Sequence, residues 1–162
     1  MGMLLSVAVA AATEPDDRRL SFRHTHTGEE LSVVYWKDGQ YVPEALARIN
    51  HFLRDFRTDE VTQIEPETLD ILYDLYVATE SKGVYEVISG YRSPKTNEKL
   101  RKQGRDVAKG SLHMKGRAID VRLTDVDTAT LRDVALEMKR GGVGYYEASD
   151  FVHIDNGRVR RW

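Results

Sequence analysis

The stretch SLHMKGRAIDVRL, residues 111–123, constrains the fold of this chain more than any other. From Arg117 onward it alternates. Arg117, Ile119, Val121 and Leu123 fall on one face of a strand, and Ala118, Asp120 and Arg122 on the other. Asp120 thus shares its face with small and polar residues. His113 precedes Asp120 by seven positions, with Gly116 between them. Seven residues of strand span roughly 23 Å and two turns of helix roughly 10 Å, so neither regular element brings the two side chains to one point. A sharp reversal does, and Gly116 is free to take the backbone angles that a reversal needs.

Around this stretch the pattern is that of an α+β domain. LSFRHTH and LSVVYW flank the turn TGEE, and KDGQ carries an Asp-Gly hairpin signal, so antiparallel strands open the domain. PEALARINHFLRDF starts with proline and spaces Leu46, Ile49, Phe52, Leu53 and Phe56 at helical intervals. EPETLDILYDLYVATES repeats the device with Leu69, Leu72, Tyr73 and Tyr76. GVYEVISGYRSP reads as a strand that delivers Arg92 to its end, PKTNEKLRKQG as a polar helix, and residues 107–116 as a loop with two glycines. DVDTATLRDVALEMKR is a capped helix closed by GG, GVGYY a strand, and FVHIDNG a strand ending in a turn. Repeats, low-complexity tracts and linkers are absent from residues 20–162.

At 162 residues the chain fits one domain with an ordinary hydrophobic core, and one active site on a monomer is the natural expectation. A formal net charge of −2 and a pI near 6.2 give no broad basic face, which argues against nucleic acid as a partner. Without cysteine, any transition-metal site must use nitrogen and oxygen ligands. The opening MLLSVAVAAATEP is a short apolar run rich in small residues, too short to span a membrane. It resembles the end of a secretory signal, although no basic residues precede it. Residues 1–13 are therefore expected to be a signal-peptide remnant or a disordered tail on a domain covering residues 20–162.

In FVHID the alternation puts Phe151, His153 and Asp155 on one face. His113, Asp120 and His153 then supply two imidazoles and a carboxylate, a ligand set suited to zinc with one position open for water. A carboxylate nearby could act as general base, and Asp150, three residues before His153, is the candidate. Each residue has an ordinary alternative. His113 could be an exposed or hydrogen-bonded loop histidine, Asp120 could pair with Arg117 or Arg122, and His153 could be a satisfied strand residue. His24 and His26 of HTHTGEE read as solvated surface near a turn, and His51 as structural.

SLHMKGRAID followed by DFVH resembles the SxHxxGxAxD and [DE]xxH signatures of the zinc D-Ala-D-Ala metallopeptidase family, which shares its fold with the hedgehog signalling domain. HTGEELSVVYW, PEALARINHFLRDFR, ISGYRSPKTNEKLR and GGVGYYEASDFVHIDNGRVRRW are similar to the short exported murein endopeptidases of that group. The resemblance implies a central antiparallel sheet with helices packed on it, and zinc held by His113, Asp120 and His153. It makes Asp150 the base, with Asp155 as the alternative base or as a residue that orients the imidazole. It also makes Arg92 a group that binds a substrate carbonyl or carboxylate, and Ser111 a substrate-binding polar residue. The implied activity is hydrolysis of a peptide bond in peptidoglycan stem or cross-link peptides, as an endopeptidase or carboxypeptidase, in the periplasm or cell envelope. A binding module with a non-catalytic zinc site is the competing reading, since fold alone does not confer activity.

Overall fold

The computed structural model describes residues 16–162, so the expectation for residues 1–13 lies outside the described part. Eight strands form one sheet: β1 (Arg18–His24), β2 (Glu30–Lys37), β3 (Gln40–Tyr41), β4 (Tyr85–Ser89), β5 (Ala118–Leu123), β6 (Gly142–Tyr146), β7 (Phe151–Asp155) and β8 (Arg160–Arg161). Their order across the sheet is β3-β2-β1-β4-β5-β7-β6-β8. Antiparallel pairings dominate, as expected, with two parallel ones added: β1 with β4 and β6 with β8. The helix-containing segment from residue 42 to 84 makes the first possible, because a parallel neighbour needs a long crossover.

Helices α1 (Pro43–Phe52) and α2 (Pro66–Ala78) both begin on proline, whose fixed φ suits the first helical turn and whose missing N–H costs nothing there. The polar helix α3 (Pro94–Lys102) starts the same way. In α4 (Thr128–Met138) the side chain of Asp127 accepts from the Thr130 N–H and caps the first turn. Helices α1, α2 and α4 supply the apolar layer. Ile49, Phe52, Leu69, Leu72, Leu75 and Leu131 bury with Leu20 and Phe22 of β1, Tyr85 and Val87 of β4, Ile119, Val121 and Leu123 of β5, and Val152 and Ile154 of β7. The β5 alternation therefore turns its branched residues into the core and Asp120 onto the opposite face. Truncating a fully buried member such as Ile119 to alanine is expected to cost about 2–5 kcal/mol.

The first histidine pair departs from its expected surface position. His26 is exposed, but His24 is 1 % exposed. Strand β1 runs on through His24, and alternation places it on the same inward face as Leu20 and Phe22. His51 stands exposed on α1.

Candidate metal centre

The expected loop before β5 contains a short 3-10 turn, Leu112–Lys115, entered at Ser111 and left at Gly116. The Ser111 hydroxyl accepts from the His113 N–H at 3.3 Å. Gly116 has φ +65°, the left-handed region, and a Cβ on it would run into the carbonyl oxygen of Gln63. Its own carbonyl accepts from the Glu65 N–H at 2.9 Å, which ties the reversal to the start of α2. The chain thus doubles back over β5 and drops His113 beside Asp120.

On the sheet, Asp120 of β5 pairs directly with His153 of β7. Asp120 Oδ1 lies 3.2 Å from His113 Nε2 and 2.9 Å from His153 Nδ1, and the two nitrogens are 3.2 Å apart. All three residues are buried. Zn–N and Zn–O bonds of about 2.0–2.1 Å at tetrahedral angles separate donor atoms by roughly 3.3 Å, so this spacing fits one ion. The remaining ring nitrogens reinforce that fit. His113 Nδ1 donates to the Gly90 carbonyl at 2.8 Å, and His153 Nε2 donates to Asp155 Oδ2 at 2.8 Å. Both inward nitrogens are thereby left with lone pairs facing Asp120, the arrangement typical of metal-ligating histidines.

The electrostatics agree. Burial alone would raise the Asp120 carboxyl, yet the two imidazoles beside it hold it well below the usual carboxylate range. It stays an anion where a cation would sit.

Asp155 is 0 % exposed and fully occupied. Besides His153 it accepts from the Gly142 and Gly157 N–H groups at 3.0 and 2.9 Å and from both terminal nitrogens of Arg160 at 3.0 and 2.8 Å. Each of its oxygens thus already accepts more than one hydrogen bond, an environment suited to orienting an imidazole. Its same-face, two-residue spacing from His153 was legible; Arg160 was not.

Asp150 is not gathered into the triad. It sits at φ +52° just before β7, and its carboxylate accepts from the Thr128 hydroxyl at 2.7 Å. Arg122 lies 3.7 Å away, and the Asp150 side chain is 64 % exposed. Arg92, by contrast, is drawn in. Its N–H donates to the His113 carbonyl at 3.1 Å, and one terminal nitrogen donates to Asn97 at 3.3 Å. Its buried Nε has no partner among the described residues. Burial lowers the Arg92 pKa while the charges of Asp120 and Asp55 oppose that, so a desolvated guanidinium with spare donors borders the centre.

An α+β sheet carrying a buried His, Asp, His donor set on the face away from α1, α2 and α4 defines a metal-dependent peptidase of the D-Ala-D-Ala metallopeptidase type. The family described as peptidoglycan L,D-endopeptidase MepK matches residues 11–162, and the chain belongs to that family. It is 41 % identical over 160 residues to the peptidoglycan L,D-endopeptidase MepK of Escherichia coli (strain K12), a match that covers 99 % of this chain and 88 % of the relative. The probable peptidoglycan L,D-endopeptidase MepK of Haemophilus influenzae is 37 % identical over 163 residues, covering 100 % of this chain and 88 % of that one.

Proposed function

We propose that this chain is a zinc-dependent peptidoglycan hydrolase of the cell envelope, acting as a monomer and cutting an L,D peptide bond in murein cross-link peptides. The bond type follows the names its relatives carry. The observation that carries the metal is the paired second hydrogen bond of each histidine, to Gly90 and to Asp155, with both free nitrogens converging on Asp120. His113, Asp120 and His153 would hold the ion. Zinc held there would supply Lewis acidity, to polarise a carbonyl and to lower the pKa of water towards ~7.

The chain's own residues do the rest. Arg92 binds a substrate carboxylate or carbonyl with the donors it does not spend on Asn97, and its charge stabilises negative charge that develops on the carbonyl oxygen. Asp150 takes the proton from the attacking water and returns it to the leaving amine, after its carboxylate has exchanged Thr128 for solvent. Asp155 keeps His153 in the tautomer that binds metal. Ser111, already fixing the His113 N–H, lines the substrate's path into the centre.

Digestion of intact murein by the purified protein, with and without chelator, tests this reading when the released peptides are identified by mass. Products of L,D cleavage that vanish with chelator and return with zinc are expected. His113→Ala should abolish both zinc content and release. No release by the zinc-loaded protein, or full metal content in His113→Ala, would overturn it.

A further inference from the structure

Two residues at the edge of the sheet, Arg160 and Trp162, lie behind His153. Arg160 meets both oxygens of Asp155 edge-on, and its guanidinium carbon lies 4.9 Å from the centre of the Trp162 ring. The Trp162 ring in turn packs 5.0 Å from the ring of His153, tilted by 53°. Its indole N–H donates to the Tyr146 hydroxyl at 2.9 Å. The backbone of Trp162 is stitched to β6 by hydrogen bonds with Val143 and Tyr145. Gly144, the β6 partner of His153, lies beneath the indole, where a Cβ would strike the Trp162 ring.

We propose that Arg160 and Trp162 are positioning residues of the metal centre: together they latch the ring of His153 from behind and set how tightly the centre holds its ion. This rests on the reading that His113, Asp120 and His153 bind zinc. A ligand imidazole can turn about two side-chain bonds. The Asp155 hydrogen bond fixes one edge of the ring, but only while Asp155 is itself held, and Arg160 supplies two of the contacts that hold it. Trp162 closes the space into which the ring would otherwise swing, and it also presses on Arg160. Outer contacts of this kind contribute roughly 10- to 100-fold to metal affinity.

The competing account is a structural ion pair and aromatic contact that merely hold the sheet edge. Arg160→Lys, which keeps the charge but loses the fork, and Trp162→Ala separate the two, with Val159→Ala as a neighbour that is 60 % exposed. Zinc affinity is measured by competition with a chromogenic chelator, the visible spectrum of the cobalt-loaded protein reports ligand geometry, and melting of the metal-free protein reports the fold. Arg160→Lys and Trp162→Ala should each bind zinc at least ~10-fold more weakly and change the cobalt spectrum, while Val159→Ala does neither. Zinc binding within about twofold of the parent and an unchanged cobalt spectrum in both variants would overturn the latch and leave the zinc reading standing. A parent that binds no zinc would overturn both.

Discussion

The N–H of Arg92 donates to the carbonyl oxygen of His113 at 3.1 Å, so the arginine that borders the centre and the first metal donor are joined by one backbone hydrogen bond. The same segment is strapped from the other side. Tyr91 N–H donates to Leu53 O at 2.7 Å, and Asp55 Oδ2 accepts from the Ser93 N–H at 2.9 Å while its Oδ1 accepts from the Arg57 N–H at 3.0 Å. Gly90, whose carbonyl fixes His113, packs so closely on Leu53 that a side chain there would clash with its backbone. The turn after α1 is therefore a floor for residues 90–93.

Asp55 is the keystone of that floor and is 0 % exposed. Asp55→Ala strands the buried Ser93 N–H, at about 1–3 kcal/mol when left unpaired in the interior, and takes the partner from the part-buried Arg57 N–H as well. Chemical denaturation should show a loss of at least ~2 kcal/mol. Catalytic efficiency per folded molecule should fall too, because Arg92 and the Gly90 carbonyl lose their support. Unchanged efficiency would mean that the floor does not set the site.

For Asp150 the expected pattern is intact zinc and fold with most turnover lost in Asp150→Ala, since a general base contributes roughly 10²- to 10⁴-fold. Asp155→Ala should differ in kind. It removes a fully buried carboxylate that accepts from His153, Gly142, Gly157 and Arg160, so stability and zinc affinity should fall along with turnover. Metal content, melting and murein release measured on the same preparations distinguish the two. Asp150→Ala with turnover near that of the parent would remove the base from its place.

His24 makes a pH prediction away from the centre. Burial, the largest cause, pulls its pKa down to about 4, with the charges of His26, Arg54 and Arg57 adding to the effect and Glu29 opposing it. Its Nδ1 accepts from the His26 N–H at 3.2 Å, and its buried Nε2 has no partner among the described residues. In the unfolded chain histidine titrates near ~6.5. Between that value and about 4 the unfolded state binds the extra proton, so unfolding free energy falls as pH drops through this window. A tenfold difference in proton affinity between the two states is worth ~1.4 kcal/mol, so the loss across the window is on the order of 3 kcal/mol. His24→Gln should flatten that slope in denaturation curves taken at about pH 4.5 and 7, which bracket most of the window. An equal slope in parent and variant would assign it to other groups.

The centre was legible in sequence wherever local rules place a residue. Alternation put Asp120 on a face of small and polar residues and His153 on one face with Phe151 and Asp155, and a seven-residue spacing that fits neither helix nor strand, with a glycine inside it, announced the reversal that brings His113 back. What escaped depends on contacts between distant segments. Alternation would have turned His24 inward with Leu20 and Phe22, but the adjacent turn suggested surface instead. The Arg160 and Trp162 contacts arise from a two-residue parallel pairing of β8 with β6, too short to leave a pattern in RVRRW. The side-chain direction of Asp150 is set by Thr128, which arrives on a different element, the first turn of α4.

The Arg92 prediction turns on the form of its charge. Three residues past the end of β4, its backbone is pinned to His113 and the residue after it is pinned to Asp55, so the side chain starts from a fixed origin. Asn97 takes one donor, and Asn97 is itself held by the Ala108 carbonyl at 3.1 Å, which leaves the guanidinium aimed and its remaining N–H groups free for substrate oxygens. Lysine would bring a positive charge but neither the fork nor the bond to Asn97 that directs it. Arg92→Ala and Arg92→Lys should therefore both keep zinc and melting temperature while losing at least ~100-fold in kcat/KM, on the order of 3 kcal/mol of transition-state stabilisation. A structural Arg92 would give the reverse, a lowered melting temperature with activity per folded molecule largely kept. Near-normal murein hydrolysis by the lysine variant would show that charge alone suffices and that the forked geometry plays no part in holding substrate.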